Sequence, residues 1–223
     1  MTAHLHKEIE KLKRKILSIS AHVDQAIENA VRALKDRSLK LAQKVIANDG
    51  QIDQMEVELE EDCLKVLALY QPVAIDLRYV IAILKINNDL ERIADQAVNI
   101  AERSAALASV KKIEYPDELT QMLDRTHTML RKSLKALIEL DTGLAREVIE
   151  ADDEVDNLNR RMFDLSLKRI KKSPQQADSL VTLLSVSRHL ERIADQVTNI
   201  AEDVIYMVEG KIVRHEKLEE NTS

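Results

Sequence analysis

The chain has 223 residues, enough to bury a sizeable core as one domain or two small ones, and a net charge of -6 with acidic and basic residues interspersed. That pattern lacks the dense positive stripe a phosphate backbone requires, which argues against nucleic acid as a direct ligand. With three Gly, three Pro, four Tyr and one Phe, the chain is dominated by helix formers. Its lone cysteine, Cys63, excludes an internal disulfide framework and points to a reducing compartment.

Six helices are predicted, over residues 4–36, 38–70, 73–108, 117–140, 143–172 and 175–209. The first opens with "MTAHLHKEIEKLKRK", which has no apolar leader segment, and the longest apolar run anywhere, "YVIAIL", is too short to cross a bilayer. A soluble, cytoplasmic protein is expected, with any membrane role exercised through partners. Ser38 suits the cap of the second helix, in which Cys63 stands among Leu64, Val66 and Leu67 as a core residue. Gly50 interrupts this helix beside Asp49, either as a kink or for close approach of a ligand to the backbone.

Pro72 and Pro116 precede the third and fourth helices, and "SVKKIEYP" at residues 109–116 breaks the periodicity between two halves. "DTG" at residues 141–143 marks the next turn. In "KSPQQ" the sequence predicts a cap at Ser173, Pro174 at the first helical position and a capping box closed by Gln176. The fold class is therefore all-α, with two tandem three-helix bundles, residues 1–110 and 117–210, and a charged, frayed tail at 211–223.

"LERIADQAVNIAE" at residues 90–102 returns as "LERIADQVTNIAE" at 190–202 with 11 of 13 letters unchanged. Elsewhere the halves have drifted: residues 55–67 and 158–170 share only Leu64 with Leu167 and Lys65 with Lys168. Packing alone asks mainly for apolar residues of suitable volume, so the phrase is held by something more. At 100° per residue Leu90, Ala94, Ala97 and Ala101 form a core stripe. Glu91, Asp95 and Glu102 lie on a second stripe with Asn99 at its edge, and Glu191, Asp195, Asn199 and Glu202 repeat them.

Glu91 with Asp95 and Glu191 with Asp195 are like charges at i, i+4, a spacing that destabilises a helix by a few tenths of a kcal/mol. The preceding helices carry the same oddity in "VIANDGQID" and "VIEADDEVD", which pair Asp49 with Asp53 and Asp152 with Asp156. The first two pairs are centred 21 residues before and 21 after Pro72; the second two are centred 20 before and 19 after Pro174. In antiparallel hairpins each half thus brings four carboxylates level, within about 1.5 Å. Four close carboxylates take up protons or bind a cation. The alternative is neutralisation by salt bridges from Arg78, Arg92, Arg192 or lysines. Oxygen-only donors suit hard ions such as Mg, Mn, Ca or ferric iron. None of the six histidines belongs to the four pairs, His189 coming nearest on another face.

These phrases, with "YQPVAIDLR" at residues 70–78 ahead of the first, resemble the PhoU family of phosphate-signalling proteins over nearly the whole chain. The resemblance implies a homodimer of paired three-helix bundles carrying multinuclear clusters of iron or zinc. Its acidic motif carries over to Asp49, Asp53, Glu91 and Asp95, and to Asp152, Asp156, Glu191 and Asp195. Asn99, Glu102, Asn199 and Glu202 are implied as further ligands. It also implies negative regulation of phosphate uptake and of the phosphate-starvation response, through the ATPase subunit of a phosphate ABC transporter and a sensor histidine kinase. Asp76 and Arg78 of "DLR" have no counterpart in the second half, and mark either a partner surface or an ordinary helix start. Gln96 and Gln196 stand where many relatives have histidine.

Two rivals differ in class. A di-metal carboxylate oxidoreductase would place Glu-x-x-His pairs on two helices, and the acid clusters contain none. The chain also lacks a nucleophile-base pair and a Gly-rich phosphate loop, so no enzyme is expected. A metal-free helical adaptor would use the acidic faces to bind a basic partner.

Overall fold

A computed structural model describes residues 3–213. The chain order is α1 (Ala3–Lys35), α2 (Leu39–Tyr70), α3 (Ala74–Ala108), α4 (Asp117–Glu139), α5 (Thr142–Lys172) and α6 (Ala177–Glu209), each within two residues of the expected bounds. No strand occurs among the described residues. The expected tail lies, from residue 214 onward, outside the described residues.

Local chemistry sets the boundaries. Ser38 Oγ accepts from the Leu41 amide at 3.3 Å, and Asp141 Oδ1 accepts from the Leu144 amide at 3.0 Å, so α2 and α5 start on side-chain caps. The expected capping box at Ser173 and Gln176 does not form. Pro174–Gln176 make a 3-10 turn in which the Gln176 amide donates to the Ser173 carbonyl at 3.0 Å, and α6 begins only at Ala177. At the other ends, Gln71, Leu140 and Gly210 reverse the chain in the left-handed region. The α2 helix continues through Gly50, where an added Cβ would meet nothing within 4 Å. The protein itself therefore gives no packing reason for that glycine.

Helices α1, α2 and α3 pack together, as do α4, α5 and α6, and α3 packs against α6 as extensively as against the helices of its own bundle. The two bundles consequently share one continuous core, running from Leu12, Ile16 and Ile19 through Ile83, Ile86 and Leu90 to Leu190, Ile193 and Ile200. Each such side chain contributes about 1.5–3 kcal/mol on leaving water. Cys63 is fully buried within it, as expected.

The seam between bundles is antiparallel. Lys85 Nζ donates to Asp203 at 3.1 Å, Asn199 Nδ2 to Asp89 at 3.4 Å, and Arg103 Nε to Ser185 Oγ at 3.3 Å. Because positions of α3 recur 100 residues later in α6, Lys85–Asp203 and Ser185–Arg103 are the same pair of places related by a local twofold axis. Near that axis α1 meets α4, where His127 bonds Asp24 at 3.0 Å. This contact, with Arg131, holds the Asp24 carboxyl below its ordinary range. No described helix is long and apolar enough to cross a membrane.

Candidate metal centres

The expected levelling of the acid pairs is visible in the fields they exert on one another. Burial raises the Asp49 carboxyl above its ordinary range, and Asp53 on its own helix and Asp95 on α3 raise it further. Asp95 is raised by burial and then by Asp53; Glu91 is raised by burial and then by Asp95, Glu56, Asp53 and Asp49. The second half repeats the arrangement more strongly. Asp152 is pushed up to about 6, first by burial and then by Asp195, Asp156, Asp153 and Glu191. Burial and then acid neighbours raise Glu191 and Asp195 too, opposed by Arg192 and, at Glu191, also by Arg188.

One oxygen in each cluster is stranded. Asp49 Oδ1 and Asp152 Oδ1 are buried and make no hydrogen bond among the described residues. They occupy equivalent positions 103 residues apart. A buried carboxylate oxygen without a donor is costly, and it recurs at equivalent places in both halves; a proton, a water or a cation would relieve it. None of the eight expected ligands forms an ion pair among the described residues, although Arg192, with Arg188 at Glu191, offsets part of the charge of the second cluster. Arg92 instead lines the α3–α6 groove with Lys85 and Asp89, and Arg78 lies 3.4 Å from the Cβ position of Gly210.

Two members of the clusters were not anticipated. Glu56 is raised by burial, Glu60 and Asp53, and so extends the first cluster along α2. The signal was present: Asp49, Asp53, Glu56 and Glu60 follow one helical stripe, which in α5 ends at Asn159 and Phe163. Asp153, which occupies the place of Gly50, adds an acid to the second cluster.

The flanks differ as well. Asp49 lines a cavity of about 60 Å³ with His22, Asn29, Asn48 and Gln51. His22 and Gln51 approach at 3.3 Å, whereas Arg125 and Glu154 at the corresponding places form an ion pair of 3.0 Å.

The outlying expected ligands are placed differently. Asn99 Nδ2 donates to its own helix at the Asp95 carbonyl, 2.8 Å away, while the Asn199 amide crosses the seam to Asp89. Glu102 is exposed and Glu202 half-buried on the same helix faces. Gln96 belongs to the seam, accepting from His189 Nδ1 at 2.8 Å, and Gln196 is buried with its Oε1 unbonded. His189 is therefore a seam residue, held below its ordinary pKa by burial and then by Arg103, Arg192 and Arg188. Asp76 stands in the first turn of α3, and the half-buried Arg78 packs on the C-terminal end of α6, where a cation suits the helix dipole.

The donor set is all oxygen and negatively charged, with Asp53, Asp95 and Asp195 exposed and the other five half-buried, which fits hard or borderline cations. Among the described residues no three carboxylate, imidazole or thiol groups already converge as a preformed cage would. A cation would supply positive charge that the first cluster lacks and that Arg188 and Arg192 supply only in part to the second.

Comparison with known proteins gives one answer. A family model described as PhoU domain matches residues 16–104 and 119–204. The chain is 39% identical over 216 residues to the phosphate-specific transport system accessory protein PhoU homolog of Aquifex aeolicus, covering 97% of this chain and 98% of that one. It is 34% identical to homolog 1 of Thermotoga maritima, covering 93% of this chain and 90% of the relative. The crystal structure of PhoU from Pseudomonas aeruginosa superposes with a TM-score of 0.90 at 33% identity, covering 92% of this chain and 99% of that one. That of the phosphate transport system regulatory protein PhoU from Streptococcus pneumoniae gives 0.83 at 28%, covering 94% and 99%.

Proposed function

The chain belongs to the PhoU family, and from that premise we propose that it is an accessory protein of phosphate transport that restrains phosphate uptake and the phosphate-starvation response. It acts at the cytoplasmic side of the membrane as a homodimer. There it couples the ATPase subunit of a phosphate ABC transporter to a sensor histidine kinase, and Asp76 is offered as part of the partner surface.

The observation that carries the metal part of this reading is the pair of stranded oxygens, Asp49 Oδ1 and Asp152 Oδ1, each among carboxylates that raise one another's pKa. Asp49, Asp53, Glu91 and Asp95 hold the first group of cations; Asp152, Asp156, Glu191 and Asp195 hold the second. Iron or zinc is the family expectation, and magnesium or manganese suits the donors equally. Bound cations supply fixed positive charge, which releases the four carboxylates from mutual repulsion and locks α2 to α3 and α5 to α6.

The test is genetic. Deleting the gene should raise expression of phosphate-scavenging genes in phosphate-rich medium, and the wild-type chain should restore repression where Asp95→Ala with Asp195→Ala does not. Unchanged expression after deletion would count against the regulatory reading; full rescue by the double variant would count against the clusters.

A metal-free adaptor is the second reading, favoured by the absence of a converged cage among the described residues. Such an adaptor keeps its partner affinity in chelator, whereas the metal reading predicts that it falls.

A further inference from the structure

The two faces of the α3–α6 seam occupy equivalent places but carry different charge. On one face Lys85 is paired with the buried Asp203, and Arg92 shares its groove with Asp89, so cations and carboxylates balance. On the other face Arg103 stands where Asp203 would recur, His189 replaces Asp89, and Arg188 replaces Asn88. Arg192 repeats Arg92. Three guanidiniums gather there, and none forms an ion pair among the described residues.

Their gathering is built by the fold. Arg188 and Arg192 are i, i+4 on α6 and therefore neighbours, with Ser185 one turn before them. Arg103 reaches across from α3 and donates through Nε to Ser185 Oγ at 3.3 Å. Ser185 Oγ lies 3.4 Å from His189 Nε2, and His189 Nδ1 lies 2.8 Å from Gln96 Oε1. The chain of bonds is consistent in one direction: Arg103 donates to Ser185, Ser185 to a neutral imidazole, and the imidazole to the Gln96 carbonyl. It uses Nε of Arg103, and among the described residues no hydrogen bond engages the two terminal amino groups. Glu191 and Asp195 on the adjoining face feel Arg188 and Arg192 only at a distance.

We propose that this face of the seam, with Arg103, Arg188 and Arg192 gathered around Ser185 and His189, binds a phosphoryl oxyanion, supplied either as inorganic phosphate or as the phosphate group of a larger metabolite. Guanidiniums match phosphate oxygens with paired N–H donors, and a dianion answers several cations better than the single charge of one carboxylate. Arg188 and Arg192 are exposed and Arg103 partly so, which leaves the face open to either source. The site adjoins the second carboxylate cluster through Arg188 and Arg192 but uses none of its carboxylates, and it does not require that cluster to hold metal.

The test is calorimetric titration of the full chain in EDTA at fixed ionic strength, so that no cluster cation can hold the anion. Inorganic phosphate and ATP are the probes. Saturable binding of one anion per chain is expected, weakened at least tenfold by Arg103→Ala with Arg188→Ala and less than twofold by Arg92→Ala on the balanced face. Arg103→Lys, which keeps the charge and loses the paired donors, should fall between. Binding of phosphate itself assigns the free ion; binding of ATP alone assigns the phosphate group of a larger ligand, and either supports the site. No saturable binding of either probe, or equal weakening by Arg92→Ala, overturns it. Circular dichroism should be unchanged in every variant, since the substituted side chains are not core residues.

Discussion

Asp49 and Asp152 occupy the same helical position 103 residues apart, and each hides an unbonded oxygen, yet the two carboxylates live in different company. Asp152 is pressed by Asp195, Asp156, Asp153 and Glu191, while Asp49 is pressed by Asp53 and Asp95 beside a small cavity. The repeated phrase supplies the same two acids to both clusters. Their difference comes from the facing helix, where Gly50 and Glu56 stand against Asp153 and Asn159. What was duplicated is the half of each acid cluster on α3 and α6, and what has diverged is the surroundings of the acids on α2 and α5.

The seam gives the largest expected contrast. Asp203 is 1% exposed and paired with Lys85, which is 39% exposed and stays solvated when its partner is lost, so Asp203→Ala should destabilise the chain by about 1.5–3 kcal/mol in chemical denaturation. Arg103→Ala, at the related place, removes only a partly exposed bond to a hydroxyl and should cost about 0.5 kcal/mol. Equal costs would show that the two faces of the seam are energetically alike.

The clusters give a smaller one, in metal-free protein. Asp152 has a folded pKa of about 6 against an ordinary 3.8, so the folded state holds the proton more tightly than the unfolded state does. Its charge therefore destabilises the fold above about pH 6, and that penalty is relieved as pH falls toward 4. Asp152→Asn should gain about 1 kcal/mol at pH 7.5, after allowance for the solvent that reaches the half-buried side chain, and nothing near pH 4. His189 titrates with the opposite sign in part of this window, being held below its ordinary value. The quantity to read is therefore the difference between variant and wild type at each pH. Asp49→Asn should gain less than Asp152→Asn, having fewer acid neighbours; a larger gain would invert the comparison.

Gly50→Ala is the mildest change. With nothing within 4 Å of the new Cβ and helix on both sides, it should stabilise the metal-free chain by about 0.5–1 kcal/mol. Destabilisation there would mean that the backbone at Gly50 is approached by something other than this chain.

Much of this was legible in the sequence because helical period and punctuation are local. Ser38, "DTG" and the prolines placed all six helices to within two residues, and counting from Pro72 placed Asp49 and Asp53 beside Asp95. The Ser173 box failed because Pro174 opened a 3-10 turn, a choice that depends on how α6 docks. The seam was missed for a different reason. Leu90, Ala94, Ala97 and Ala101 read as one core stripe, yet Ile86, Ile93, Ile100 and Leu107 are just as buried, so α3 is apolar on more than the face its own bundle requires. That second stripe was the signal for α6, and Gln96, His189 and Asn199 are oriented by it. Part of the answer to why the phrase was kept lies there: it builds the joint between the bundles as well as the acid faces.

The central claim is that the two carboxylate clusters exist to hold cations, and elemental analysis tests it most directly. Wild-type protein and the Asp95→Ala, Asp195→Ala double variant should be purified side by side without affinity tags or chelators. Stoichiometric metal in the wild type, lost in the variant while helical content is retained, is the predicted result. Equal metal in both, or none in either, would contradict it.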